Sequence, residues 1–214
     1  MRGEPNTFRE FIRHDTRDIH GKADQAFGAF DLTDRDDLAT FMLTNHTVFK
    51  YLDQMVTDHG MAGESALKII PELVTKLERD LTVLGITDTD AGWKPSSPDP
   101  LHPKAIAYVV QGSRLGTTVL AKQWAEATDE TVKAAGQYLN TRIDTGEWRQ
   151  LLADLAEIPV RGPEARKITA DARTLFEVHL TALESAVQHQ QRAARRDDRR
   201  PPPTADGPNR PPRI

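Results

Sequence analysis

His20, near the start of the chain, has neighbours of a kind that could support metal chemistry. Thr16, His20 and Asp24 are spaced four residues apart, so they share one face if this segment is helical. Arg13 and Arg17 lie within the two turns that precede the histidine. A histidine at the edge of an apolar stripe, with cations on the same helix, could bind a metal-bearing anionic cofactor. A core histidine whose hydrogen bonds are satisfied internally is the alternative.

A second unusual stretch is YVVQGSRLGTTVL, residues 108–120. It places Gly112 and Gly116 one turn apart inside a predicted helix, where each glycine costs about 1 kcal/mol relative to alanine. Ser113 and Thr117 add little side-chain bulk to the same stretch. Either another helix packs closely against this surface, or the backbone approaches a flat ligand and the helix bends over it. Composition alone leaves both explanations open.

The elements that carry these residues are predicted to be helices. Apolar residues recur at intervals of three and four from Phe8 onward, and Asn6 or Thr7 is the expected N-cap of the first helix, 6–27. Pro71 should kink the third helix or mark a later start. Further helices are predicted at 34–59, 64–84, 101–127, 129–143, 147–158 and 164–190. No stretch has the sustained alternation of a strand, so we predict an all-α bundle of about seven helices in one domain.

The chain divides into a folded body, 1–191, and a tail, 192–214, that is rich in arginine and proline. The tail is nearly free of apolar residues and is predicted to be disordered. Net charge is −4, and the tail carries seven arginines and three aspartates, which leaves −8 on the body. An acidic body argues against nucleic acid as the main partner. Contact of the tail with an acidic partner is possible, and a solvated tail is the alternative.

Composition also bounds the chemistry and the compartment. The sequence contains no cysteine, so disulfides, thiolate-ligated haem and iron–sulfur clusters are excluded. No apolar run approaches membrane-spanning length, and the N-terminus has no apolar stretch typical of a signal peptide. We therefore expect a soluble, cytoplasmic protein that does not bind membranes, with a monomer as the default state.

Taken together, these motifs resemble the haem oxygenase family, particularly the bacterial biliverdin-producing enzymes. The resemblance extends over about residues 7–187. It is carried by TRDIH at 16–20, YVVQGSRLG at 108–116, TGEWR at 145–149 and ARTLF at 172–176. Their order and approximate spacing follow the family pattern. The resemblance implies a helical fold in which haem lies between a proximal and a distal helix.

The resemblance also implies roles for residues on the two helices. His20 matches the proximal iron ligand, and Asp24 is a candidate to orient its second ring nitrogen. Gly112 and Gly116 match the distal glycines, which leave room for dioxygen on the iron. Ser113 stands where the animal enzymes have an aspartate that orders distal water for proton delivery, and serine is a poorer acid–base group.

Around the edge of the cofactor, the family pattern implies a set of contacts. Arg13 and Arg149 match basic positions that pair with the haem propionates, and Tyr108 could donate a hydrogen bond to one of them. Thr16 is assigned to the cofactor from its place on the His20 face. Phe176 would close the apolar end of the pocket, with ordinary core packing as its alternative.

The activity implied is oxidative cleavage of haem at a meso carbon, which gives biliverdin, carbon monoxide and ferrous iron. Haem is then both substrate and cofactor, dioxygen is the co-substrate, and electrons come from an external reductase or ferredoxin. Thr117 replaces a glycine found in many members, and Thr145 replaces a common lysine. These departures keep open a haem-binding or haem-transfer protein without turnover. A di-iron carboxylate bundle and a helical scaffold without cofactor are further alternatives.

Overall fold

The computed structural model describes residues 5–95, 99–142 and 144–197. Within these ranges the chain is all helical and has no strand, which confirms the predicted fold class. Short 3₁₀ turns at Met61–Gly63 and Ser65–Leu67 link the third and fourth helices. The eight α-helices are α1 Phe8–Asp15, α2 Arg17–Phe27, α3 Arg35–Asp58, α4 Ile70–Val83, α5 Pro103–Trp124, α6 Glu130–Ala134, α7 Thr145–Ala156 and α8 Pro163–Asp197.

The first predicted helix is in fact two, because the chain is interrupted at Thr16. Thr7 is the N-cap, and it forms a reciprocal capping box with Glu10. Thr16 is 1% exposed, and its hydroxyl donates to the carbonyl of Ile12 at 2.7 Å. Such bonds from threonine to the preceding turn compete with regular helix geometry. The interruption places His20 in the opening turns of α2.

Two other helix starts follow from local chemistry. The N-cap of α3 is Asp34, whose carboxylate accepts the N–H groups of Asp36 and Asp37. Of the two roles predicted for Pro71, the later start is correct, because proline is suited to the first turn, where its missing N–H is not needed.

The predicted helix 129–143 is much shorter than expected, since α6 ends at Ala134. The chain after it is held by Asp80 of α4, whose carboxylate accepts the N–H groups of Gln137 at 2.9 Å and Tyr138 at 2.8 Å. Those N–H groups therefore serve a tertiary contact instead of continuing the helix. Gly136 next to them lies against the ring of Trp124, and a Cβ there would overlap that ring.

The core is built around α3 and α8. α3 packs against α4 and α8, and α8 also packs against α2 and α5. Fourteen of the residues of α3 are buried, which identifies it as the central helix of the bundle. α8 continues to Asp197, six residues into the predicted tail, so the helix ends later than expected. The rest of the predicted tail, 198–214, lies outside the described residues.

The N-cap of α5 is a histidine, and this makes the helix start sensitive to pH. His102 accepts the N–H of Lys104 through Nδ1 at 3.2 Å, which only the neutral imidazole can do. Burial lowers the pKa of His102; Glu164 and Asp171 oppose the shift, whereas Lys104 and Lys167 add to it. The cap is therefore complete above the unfolded-state pKa of about 6.5 and is lost as pH falls through the lower folded pKa.

We expect His102→Asn to flatten the dependence of stability on pH, because asparagine caps a helix at any pH. Urea unfolding at pH 7 and pH 5 measures this. The native chain should lose about 1 kcal/mol more than the variant between the two values. The native chain and the variant share all other histidines, so the contributions of those residues cancel in the comparison. Equal losses would show that the cap does not titrate.

Candidate functional site

The segments that flank α2 meet α5 at two places. At one end, the side chain of Thr16 interacts with the Tyr108 hydroxyl. At the other, the N–H of Leu32, just after α2, donates to Oε1 of Gln123 at 3.5 Å. Tyr108 and Gln123 are about 22 Å apart along α5 at 1.5 Å per residue. The backbones of α2 and α5 scarcely approach each other, while α8 packs against both. We call the region between them the interhelical site.

His20 is on the α2 side of this site. Its Nδ1 lies 2.8 Å from Oδ2 of Asp24, one turn further along the helix. The imidazole side chain is 50% exposed, so it is not the satisfied core histidine of the alternative interpretation. A carboxylate at Nδ1 holds the N–H on that nitrogen and leaves Nε2 as the free electron-pair donor, which is the usual arrangement of a metal-binding histidine.

Replacing Asp24 with asparagine tests that orientation. If haem binds here as the sequence resemblance implies, we expect hemin affinity to fall about 10-fold, because partners of this kind affect metal affinity by 10- to 100-fold and this pair is partly exposed. Absorption titration with hemin measures the change. Asp18→Asn is the matched control, since Asp18 lies on the same helix and its side chain is 92% exposed. An equal effect of the two changes would show that Asp24 has no special role.

Phe176 of α8 lies beside the histidine. The two ring centroids are 5.2 Å apart, with the rings inclined at 65°. Phe176 is buried in the hydrophobic core, as its alternative interpretation has it, and its place at the apolar end of a haem pocket stays a prediction. His179, one turn later, is also buried. Its Nδ1 lies 2.7 Å from the carbonyl of Leu175, and its Nε2 has no partner among the described residues.

The two glycines of α5 differ in their surroundings. A Cβ on Gly112 would lie 3.7 Å from the ring of Trp148, which is ordinary contact. Gly116 is exposed, and a Cβ there would have nothing within 4 Å among the described residues. Close packing of another helix therefore requires a glycine at neither position.

The hydroxyl groups of this stretch bond to their own helix. Ser113 Oγ donates to the carbonyl of Val110 at 2.9 Å. Thr117 Oγ1 donates in turn to the carbonyl of Ser113 at 3.1 Å. Each hydroxyl retains acceptor capacity but commits its proton to the backbone. The catalytic assignment of Ser113 stays a prediction.

Tyr108 closes the end of the site nearest Thr16. Its ring stacks on Trp148 of α7, with centroids 5.9 Å apart. Burial raises the pKa of Tyr108, while the Thr16 hydroxyl and the nearby charge of Arg13 oppose the shift. The phenol is consequently a neutral hydrogen-bond donor at physiological pH, as a contact to an anionic group requires.

The two predicted cations lie at the surface. Arg13 is exposed on α1 and close enough to act electrostatically on Tyr108. Arg149 is exposed on α7, where its Nε donates to the carbonyl of Thr145 at 3.2 Å. Neither forms an ion pair with a carboxylate in the described part of the chain. Both guanidinium groups therefore remain available to an anion.

The structure brings most of the predicted residues into two groups. One contains His20, Asp24 and Phe176; the other contains Thr16, Tyr108 and Gly112 with α7 beside them. Sequence reasoning assigned no role to Trp148, although it precedes Arg149 in a recognised motif. Its contacts with Tyr108 and Gly112 depend on how α7 packs against α5, which no local pattern reveals.

Comparison with known proteins adds no identification. No protein-family model matches this chain, and no curated protein matches it. Within residues 5–95, 99–142 and 144–197, no three histidine or acidic side chains are grouped as a metal site. In the same ranges, no helix combines the length and apolar character needed to cross a bilayer.

Proposed function

We propose that the chain binds haem at the interhelical site and cleaves it oxidatively to biliverdin, as a haem oxygenase. The observation that carries the proposal is His20, half exposed on α2 beside Phe176 of α8, with Nδ1 paired to Asp24 and Nε2 left as a donor. The sequence resemblance supports the family, and the packing of α8 against both α2 and α5 supports a site that these helices share.

The residues at the site fit a haem in their chemistry. A neutral imidazole is a suitable axial ligand for its iron. The ring of Phe176 and the bare backbone at Gly116 suit a flat apolar macrocycle. Arg13, Arg149 and the Tyr108 hydroxyl suit its carboxylates, since arginine pairs with carboxylates in a geometry of two parallel hydrogen bonds.

When bound, haem would supply the redox-active iron and the carbon that is oxidised, with dioxygen and external electrons as co-reactants. The side chains of the protein then have only a few roles. His20 would hold the iron, and Asp24 would orient His20 through Nδ1. Gly116 would leave space for dioxygen, and Phe176 would exclude water. Arg13, Arg149 and Tyr108 would hold the carboxylates of the macrocycle and so limit its rotation.

The proposal is tested by adding hemin and ascorbate in air, with catalase present to remove free peroxide. Haem oxygenase activity predicts loss of the Soret band, growth of a broad red biliverdin absorption and release of carbon monoxide. A reductase with ferredoxin should replace ascorbate. A stable Soret band under both reductants would contradict turnover, and absence of any band would contradict haem binding.

A second function, haem binding or transfer without turnover, is favoured by one observation. The Ser113 hydroxyl donates to the carbonyl of Val110, so the residue at the position of the family aspartate does not offer its proton to the site. The carbon monoxide measurement separates the two functions, because a carrier releases none.

A further inference from the structure

A buried polar cluster lies behind α5, and the proposed function does not use it. Arg114 and Thr117 belong to α5 and face away from Gly112, since they are 200° and 140° around the helix from it. Tyr138, after α6, is 3% exposed and meets both. Its hydroxyl donates to Oδ1 of Asn45 on α3 at 3.2 Å, and Thr117 lies next to it in the lining of a small cavity. Burial raises the pKa of Tyr138 to about 12, so the phenol stays protonated.

Tyr138 is fixed to the bundle independently of α5. The carboxylate of Asp80 accepts the backbone N–H groups of Gln137 and Tyr138, and Asp80 is fully buried on α4. Hydrogen bonds to an ionised carboxylate are stronger than those between neutral groups. The backbone of Tyr138 is thus held by α4 and its hydroxyl by Asn45 of α3, so it provides a rigid support for α5.

Arg114 attaches α5 to the same segment a turn away from Thr117. It is 6% exposed, and its Nη2 donates to the carbonyls of Thr141 and Arg142. No carboxylate in the described ranges forms an ion pair with it, although buried guanidinium groups are usually paired. Its hydrogen bonds therefore go to the chain that leads into α7, which carries Trp148.

A small cavity of about 10 Å³ lies within this cluster. It is lined by Arg114, Thr117, Thr118, Tyr138, Leu139 and Thr141. That volume is the size of one water molecule, and the lining offers several polar partners. The back of α5 is therefore nearly filled and polar, in contrast to the bare surface at Gly116.

The contrast between the filled, polar back of α5 and its bare surface at Gly116 indicates a role for the cluster. Gly112 and Gly116 weaken the helix and offer no side chains to hold it against α2. α8 and α7 pack against α5, and the cluster adds hydrogen bonds on the side away from Gly112. We infer that Arg114 and Tyr138 are positioning residues that hold α5 at a fixed separation from α2 across the interhelical site. The effect of these residues on bound haem rests on the proposed function. Their support of α5 is a property of the haem-free chain and can be measured without haem.

Tyr138→Phe removes the hydroxyl and keeps the ring packing against Phe41 and Phe49. Tyr51→Phe is the matched control, because Tyr51 packs against Trp93 and is not part of the cluster. In hydrogen exchange of the full haem-free chain, we expect Tyr138→Phe to speed exchange about tenfold in α5. α8 should be unchanged, and the control should resemble the native chain. Arg114→Lys should act like Tyr138→Phe, since an ammonium does not reproduce the guanidinium fork.

The second measurement is the visible spectrum of the hemin complex as a function of pH. If α5 sets the space beside the iron, Tyr138→Phe shifts the pH at which the visible spectrum of the hemin complex is half changed. Tyr51→Phe leaves that pH where it is in the native chain. Equal exchange increases in α5 and α8, or none, would overturn the inference, as would an unshifted midpoint with faster exchange in α5. If exchange in α5 rises but the native chain binds no hemin, the support of α5 stands and the proposed function fails.

Discussion

Replacing His20 with alanine is expected to remove the axial ligand and abolish haem turnover. Hemin affinity should fall on the order of 100-fold or more, because loss of the ligand exceeds loss of a partner such as Asp24. The Soret band should change from that of a histidine-ligated complex to that of unligated hemin. Stability should change little, since the side chain of His20 is half exposed.

His14→Ala is the control for this experiment. His14 is exposed on α1, six residues before His20, and has no contact with the interhelical site among the described residues. Its replacement should leave the hemin spectrum and biliverdin formation unchanged. If His20→Ala keeps a histidine-type spectrum, another histidine binds the iron, and buried His179 with its unpartnered Nε2 becomes the first candidate.

Gly116→Leu is expected to stabilise the haem-free protein and to block the proposed activity. A Cβ at this position would meet nothing within 4 Å among the described residues, so no clash opposes the change. Leucine is the better helix former, and the free energy of unfolding should rise by about 0.5–1 kcal/mol. The same side chain would occupy the space above the proposed haem. Carbon monoxide affinity of the ferrous complex and biliverdin formation should both collapse.

Gly116→Leu is informative because its stability and its activity are expected to change in opposite directions. Urea unfolding measures the stability, and carbon monoxide binding measures the space. Gly63→Leu is a control for a leucine placed in open space, because a Cβ on Gly63 also has nothing within 4 Å among the described residues and Gly63 lies in the 3₁₀ turn after α3. Undiminished turnover in Gly116→Leu would place haem away from α5 and contradict the assignment of the glycine helix.

Much of the fold was predictable because its determinants are local. Apolar spacing predicted the long helices, and Gly60 and Gly85, both at positive φ, follow the ends of α3 and α4. The errors arise from contacts between residues far apart in the sequence. Asp80 draws the N–H groups of Gln137 and Tyr138 out of the predicted helix 129–143 from 57 and 58 residues away. No periodicity within 129–143 contains that information.

The candidate site likewise contains some contacts that local sequence predicts and others that it does not. The pairing of His20 with Asp24 was predictable, because the two are one turn apart on one helix. The position of Trp148 over Gly112 was not, since it depends on the packing of two helices. The support behind α5 was missed for the same reason. Its members, Asn45, Asp80, Arg114 and Tyr138, come from separate parts of the chain and form no motif.

The central claim is that haem lies between α2 and α5 with Nε2 of His20 on the iron. A crystal structure of the native chain with one equivalent of hemin tests it most directly. The account predicts iron bound to Nε2 of His20, Asp24 still on Nδ1, and the macrocycle facing Gly116. Hemin bound elsewhere, or iron held by a different side chain, would contradict it.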